Sequence, residues 1–145
     1  MGIGSSLGLC ARRLEIGMNT TTRIWLVLAA LNGLIGVSAG AFGAHGVDDP
    51  RAKELLKTGA EYQLIHALAV FACFALWRAG AGAAGAAAWL FLAGCLLFPG
   101  SLYIMALTPQ RWPGPVTPIG GLFFILGWAT LAWAAFAGTR SGPPA

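Results

Sequence analysis

From Ile24 to Ala44 the chain runs for twenty-one residues without a charged side chain. At a rise of about 1.5 Å per residue, a helix of that length covers the roughly 30 Å hydrocarbon core of a bilayer. Three comparable stretches follow. Tyr62 to Trp77 gives sixteen mostly apolar residues, about 24 Å of helix, which reaches span length only if the preceding turns join it. Ala81 to Leu107 is twenty-seven residues long and Pro118 to Ala137 is twenty. A water-soluble domain of this size needs a polar skin, but here 57% of residues are hydrophobic and 10% charged, and the charges sit mostly between the runs. The composition excludes both a soluble domain and a disordered chain. It predicts an all-α fold, an integral membrane four-helix bundle with spans at about 24–44, 60–77, 83–107 and 118–137.

The ends of the runs carry their own signals. Asp49-Pro50 reads as a helix start, because the aspartate accepts from orphan backbone amides and proline tolerates the first helical position. Ala52, Leu55 and Leu56 then share a face that Gly59 continues, with Arg51, Lys53, Glu54 and Lys57 elsewhere. That predicts a short amphipathic helical segment after the first span, running on into the second. Arg78 and Gly80 close the second span. Pro99-Gly100 predicts a kink in the third, with the freed carbonyl satisfied by Ser101 or water. Pro109, Pro113 and Pro115 make a stiff linker from Thr108 to Thr117.

Arg23, the apolar stretch and Ser38-Ala39-Gly40-Ala41 also resemble a cleavable signal peptide. The rest of the chain is just as apolar, so the first run reads as a span. Residues 1–17 read as a disordered or misannotated extension, with Met18 a candidate start. Met1-Gly2-Ile3-Gly4-Ser5-Ser6 fits only a loose myristoylation pattern and Leu9 is too bulky for a lipidation site at Cys10, so both lipid anchors are discounted. Residues 18–138 form the membrane domain and 139–145 a flexible tail.

The net charge of +4 comes from scattered Lys and Arg. There is no basic stripe for nucleic acid, and these residues flank spans as positive charges do in membrane proteins. Four spans put both ends on one side, where Trp25, Trp77 and Trp133 form part of an aromatic belt. Positive charges split five to four between the sides, or three to four from Met18, which does not fix orientation. Cys10, Cys73 and Cys95 form no CxxC pair and exclude a disulfide framework or zinc site.

Helices associate in lipid through small residues that let backbones approach. Gly36, Gly40 and Ala44 form one such stripe with Asn32 a turn earlier, and Gly82, Ala86 and Gly94 form another on the third span. Packing within the chain is the favoured use, with a homo-oligomer contact as the alternative. The polar residues in or near the spans are Asn32, Glu61, Tyr62, Gln63, His66, Ser101 and Tyr103, each of which needs a partner in hydrocarbon. Tyr62 and His66 lie one turn apart, with Gln63 three residues from His66, and these residues reach toward Ser101 or Tyr103 as an interhelical clamp of about 1 kcal/mol per bond. His45 and His66 invite a haem or metal site, but they differ in depth by about 7 Å or more and no further ligands join them. No cofactor, metal or catalytic residue is assigned, and His45 reads as a cap on the first span.

The blocks Gly40-Ala41-Phe42-Gly43-Ala44-His45-Gly46, Tyr62-Gln63 with His66-Ala67-Leu68-Ala69, Leu97-Phe98-Pro99-Gly100-Ser101-Leu102-Tyr103 and Thr117-Pro118-Ile119-Gly120-Gly121 occur in order. Over roughly Arg23 to Ala137 the chain resembles the YgdD-like family of small membrane proteins. It departs from that pattern in its extension and at Pro99, where the family has serine. The resemblance implies a four-helix bacterial inner-membrane protein of unestablished molecular function, with relatives in eukaryotes. The reading that follows is non-enzymatic: a scaffold, assembly or membrane-homeostasis component. Its partners would be the lipid bilayer and a second copy or another membrane protein, and not nucleic acid. The alternative is a small oligomeric transporter or channel using Glu61, Gln63 and His66.

Overall fold

A computed structural model describes residues 19–138. The expected extension at 1–17, the start at Met18, Cys10 and the tail at 139–145 lie outside them.

Helix α1 (Thr20–His45) begins before the apolar run does, because the Asn19 side chain accepts from the Thr22 amide at 2.9 Å. That cap is worth about 1 kcal/mol. At the other end the Gly46 amide donates to Phe42 O at 2.7 Å. Helix α2 (Pro50–Arg78) starts as its sequence predicts, with Asp49 accepting from the Ala52 amide at 3.0 Å and proline at the first position. Its 29 residues are one continuous helix, so the amphipathic turns are the start of α2 and not a separate segment.

Helix α2 ends in a backbone motif that requires glycine. Gly80 has φ +95° and donates to Trp77 O, while the Ala81 amide reaches back to Leu76 O. A left-handed residue placed so satisfies the last carbonyls of the helix. Helix α3 (Ala84–Leu107) follows after a short turn and runs unbroken through the buried Pro99. The Ser101 hydroxyl donates to Phe98 O at 2.8 Å. It therefore serves the carbonyl next to the proline and not that of Cys95, whose helical donor the proline removes. Helix α4 is Val116–Gly138.

All four helices are long and apolar enough to cross a membrane. Successive helices pack side by side, α1 on α2, α2 on α3 and α3 on α4, with lesser approaches of α1 to α3 and α2 to α4. No Cα of α1 comes within 8 Å of one in α4. The bundle is an open row with α2 and α3 inside.

The outer helices show how little surface each needs. On α4 the buried residues are Gly120, Phe124, Gly127, Leu131 and Ala134, one face at alternating spacings of four and three. On α1 the face against α2 carries Gly36, Gly40 and Gly43, where an added Cβ would stand 2.9 to 3.5 Å from the Leu64, Ala60 and Leu56 side chains. The expected stripe ended on Ala44, which is exposed. A strict spacing of four drifts about 40° around the helix at each step, so a straight face alternates fours and threes. The same drift moves the expected stripe on α3. Gly82 precedes the helix with nothing within 4 Å and Ala86 is exposed, whereas Ala84, Gly85, Ala88 and Phe91 are buried.

Trp25 and Trp77 do share a level, their rings meeting edge-on with centroids 5.5 Å apart. Trp25 is no belt residue, however. It is only 2% exposed and packs also against Trp89 at 6.3 Å and over Gly85. A face without Cβ on α3 gives the indole room that lipid would otherwise provide.

Candidate functional site

Two polar centres are built on α2, one at Gln63 and one at His66 three residues on, and they meet different neighbouring helices. The first joins three helices. Tyr103 on α3 donates its hydroxyl to Gln63 Oε1 at 2.7 Å, and Gln63 Nε2 donates to Asn32 Oδ1 on α1 at 2.8 Å. Asn32 Nδ2 closes the chain on Leu28 O at 2.8 Å. Gln63 is 3% exposed and is the hub. An amide is the side chain for that place, because it accepts on one atom and donates from another without carrying charge into hydrocarbon. Gly59, one turn before Gln63, admits the Tyr103 ring, whose Cε1 lies 2.5 Å from where a Cβ would stand.

The second centre is aromatic. His66 is 4% exposed and stacks on Phe124 of α4, with centroids 3.5 Å apart and planes 9° from parallel. Its Nδ1 lies 2.7 Å from Tyr62 O, and its Nε2 receives the Trp128 indole N–H at 3.1 Å. An indole can only donate, so Nε2 keeps its lone pair and the ring proton sits on Nδ1, donating to the Tyr62 carbonyl. Phe91 packs 5.6 Å from His66 and 5.1 Å from Trp128, and Tyr62 lies 4.7 Å from Phe98. Glycine again makes the space: Cβ atoms at Gly94 and Gly127 would strike Phe124 and Phe91 at 2.4 and 2.7 Å. Between α3 and α4 the Ser101 and Thr117 hydroxyls meet at 2.7 Å.

The expected cluster therefore divides. Gln63 and Tyr103 come together, with Asn32 as the third member. His66 and Tyr62 face α4 and bond neither Ser101 nor Tyr103. Glu61 is exposed and lies 3.9 Å from Lys57 in an i, i+4 ion pair, worth little at a surface. His45 is exposed at the end of α1, where the Gly46 amide supplies the cap. Trp128, Thr117 and Phe124 went unrecognised in the sequence, since a donor or a ring in an apolar run gives no sign of its partner on another helix. Cys73 and Cys95 are free buried thiols. Among the described residues no three His, Cys, Asp or Glu side chains gather as a metal site would need.

Beside the first centre, α1 and α3 stand apart and leave a cavity of about 560 Å³. Gln63 and Tyr103 contribute to its lining, Leu28, Leu31 and Ile35 line it from α1, and Trp89, Leu92 and Leu96 from α3.

Four apolar spans tied by uncharged hydrogen bonds and glycine contacts define a small multi-pass membrane protein. The family model described as Protein of unknown function (DUF423) matches residues 39–121. The UPF0382 membrane protein YwdK of Bacillus subtilis is 40% identical over 118 residues, covering 78% of this chain and 96% of that protein. The UPF0382 inner membrane protein YgdD of Escherichia coli is 40% identical over 131 residues, covering 84% and 96%. A UPF0382 membrane protein of Haemophilus influenzae is 39% identical over 117 residues, covering 77% and 93%. The chain belongs to this DUF423/UPF0382 membrane protein family, whose molecular function is unknown. No solved structure matches it.

Proposed function

We propose that the protein is a non-enzymatic component of the bacterial inner membrane, a scaffold, assembly or homeostasis factor that works through its helix surfaces. The observation that carries this reading is how the internal polar groups are used. Tyr103, Gln63 and Asn32 are joined to one another, both nitrogens of His66 are engaged, and Ser101 meets Thr117. A transporter or enzyme keeps ionisable groups in reach of cargo or reactant. Here Glu61 points outward beside Lys57, and His66 is walled by aromatic rings. Broad lipid-facing surfaces remain, with Leu68, Leu96 and Ile125 each more than two thirds exposed. Crosslinking in native membranes followed by mass spectrometry tests the reading, and a stable membrane-protein partner is the expected result. Solute flux in proteoliposomes that depends on the protein and falls in Glu61→Gln or His66→Gln would overturn it in favour of transport.

A further inference from the structure

A second, smaller cavity of about 170 Å³ lies where the start of α2 meets the end of α3, lined by Asp49 and Arg51 on one side and by Met105, Thr108, Gln110 and Arg111 on the other. Depth decides what can reach it. Gln63 is the fourteenth of the 29 residues of α2 and Cys95 the twelfth of the 24 of α3. The Cys95 thiol lies 3.9 Å from Gln63 O, so the two helices share a level near mid-span. From there Arg51 is twelve steps along α2 and Thr108 thirteen along α3, about 18 and 20 Å. The hydrocarbon core ends about 15 Å from the midplane and the headgroup layer about 20–22 Å from it, so the cavity lies among headgroups. Trp112, 67% exposed and next to Arg111, is the amphipathic side chain that layer favours.

The cations of this cavity are not spent within the chain. Among the described residues neither Arg51 nor Arg111 enters an ion pair or a side-chain hydrogen bond. Asp49 turns its carboxylate to the Ala52 amide as the cap of α2. Two guanidinium groups against one carboxylate leave a single positive charge in the lining. A guanidinium presents a planar fork of donors that meets phosphate oxygens in pairs. Size narrows the ligand further. At about 30 Å³ per water-sized atom, 170 Å³ takes about five or six heavy atoms, the size of one phosphodiester group. It falls below the ~300–1,000 Å³ of sites that enclose a whole small molecule, so the protein holds a charged head and leaves the rest of its ligand outside. We propose that Arg51 and Arg111 seat the headgroup phosphate of an anionic phospholipid of the phosphatidylglycerol class, whose acyl chains stay in the bilayer. This seat is independent of the scaffold reading.

The test titrates the full chain in detergent with dioleoyl phosphatidylglycerol, with dioleoylglycerol, which has the same tails and no phosphate, and with sn-glycerol 3-phosphate, which has a phosphate and no tails. Native mass spectrometry counts what stays bound. One phosphatidylglycerol should bind, with either comparison compound at least about tenfold weaker, as the loss of a charge-assisted contact implies. Arg51→Gln and Arg111→Gln should each weaken phosphatidylglycerol by about tenfold on the same grounds. Arg78→Gln removes an equal charge at the far end of α2 and should leave binding unchanged. Dioleoylglycerol binding as tightly as the phospholipid would overturn the proposal, as would an equal loss in Arg78→Gln. Glycerol phosphate matching the phospholipid would do so too, by making a soluble phosphate ester the ligand. If the arginine variants fail to fold, the wild type alone locates the site. In vesicles, phosphatidylglycerol with a diazirine on its headgroup should label Met105 and Gln110 severalfold more than Ala44 and His45, which end α1 at the same depth; even labelling would refute the seat.

Discussion

Trp128 on α4 donates its indole N–H to Nε2 of His66 on α2 across 3.1 Å. The contact fixes the imidazole as the Nδ1–H tautomer, because the Tyr62 carbonyl at 2.7 Å accepts the proton that Nε2 does not hold. Nitrogen-15 spectra of histidine-labelled protein in micelles should show a protonated Nδ1 and a bare Nε2 for His66. In Trp128→Phe, Nε2 loses its donor, the two tautomers should mix, and stability should fall by about 0.6–1.7 kcal/mol.

The chain through Gln63 predicts coupling across helices. Tyr103→Phe removes one donor, and Gln63→Leu removes the hub and strands both neighbours. Each should cost about 1–2 kcal/mol, with Gln63→Leu the worse. The double variant should be about 0.5–1.5 kcal/mol more stable than the sum of the single losses implies. Reversible unfolding in mixed micelles measures all four proteins, and strict additivity would show that the 2.7 Å contact carries no energy.

Glycines in the row of helices should separate into two groups. A Cβ on Gly120 would lie 2.4 Å from the Phe98 backbone nitrogen, and main chain cannot swing aside. Gly120→Ala should push α3 and α4 apart and cost about 1–3 kcal/mol. Gly33 lies within α1 with nothing near it, so Gly33→Ala should raise stability by up to about 1 kcal/mol through helix propensity. Thermal denaturation of the two variants should shift in opposite directions.

At the turn after α2, Gly80 sits at φ +95° with open space around it. Its substitution should reveal backbone strain alone, without a packing change. Gly80→Ala should cost about 1–2 kcal/mol and Gly80→Asn less, since asparagine tolerates the left-handed region better. Equal losses for the two in thermal denaturation would argue that the turn relaxes.

How far the sequence discloses this molecule depends on how local each signal is. The Ile24–Ala44 run and the Asp49-Pro50 start are written in neighbouring residues, and α1 and α2 follow from them. The glycine faces were legible in kind but not in phase: Gly43 and not Ala44 meets Leu56, because the helical repeat falls short of four. Gln63 and Tyr103 announced a need for partners simply by lying in apolar runs. Tyr103 stood among the expected partners of that cluster, but that Gln63 alone would take it, while His66 turned to Trp128, depends on the rotation of helices separated by tens of residues. Trp25 shows the same limit. Its place at the end of a span suggests a headgroup anchor, and its burial comes from Trp77, Trp89 and the bare backbone of Gly85 on other helices.

Since no Cα of α1 comes within 8 Å of one in α4, each terminal helix is fastened along one main seam. Pulled from either end in lipid, the molecule should unzip from the outside inward, not shatter at once. Loss of the amino-terminal helix would sacrifice Asn32 yet spare the Gln63–Tyr103 bond, and loss of the carboxyl-terminal one would strip His66 of both Trp128 and Phe124. What survives either detachment is the central hairpin of α2 and α3, the natural keel of the protein.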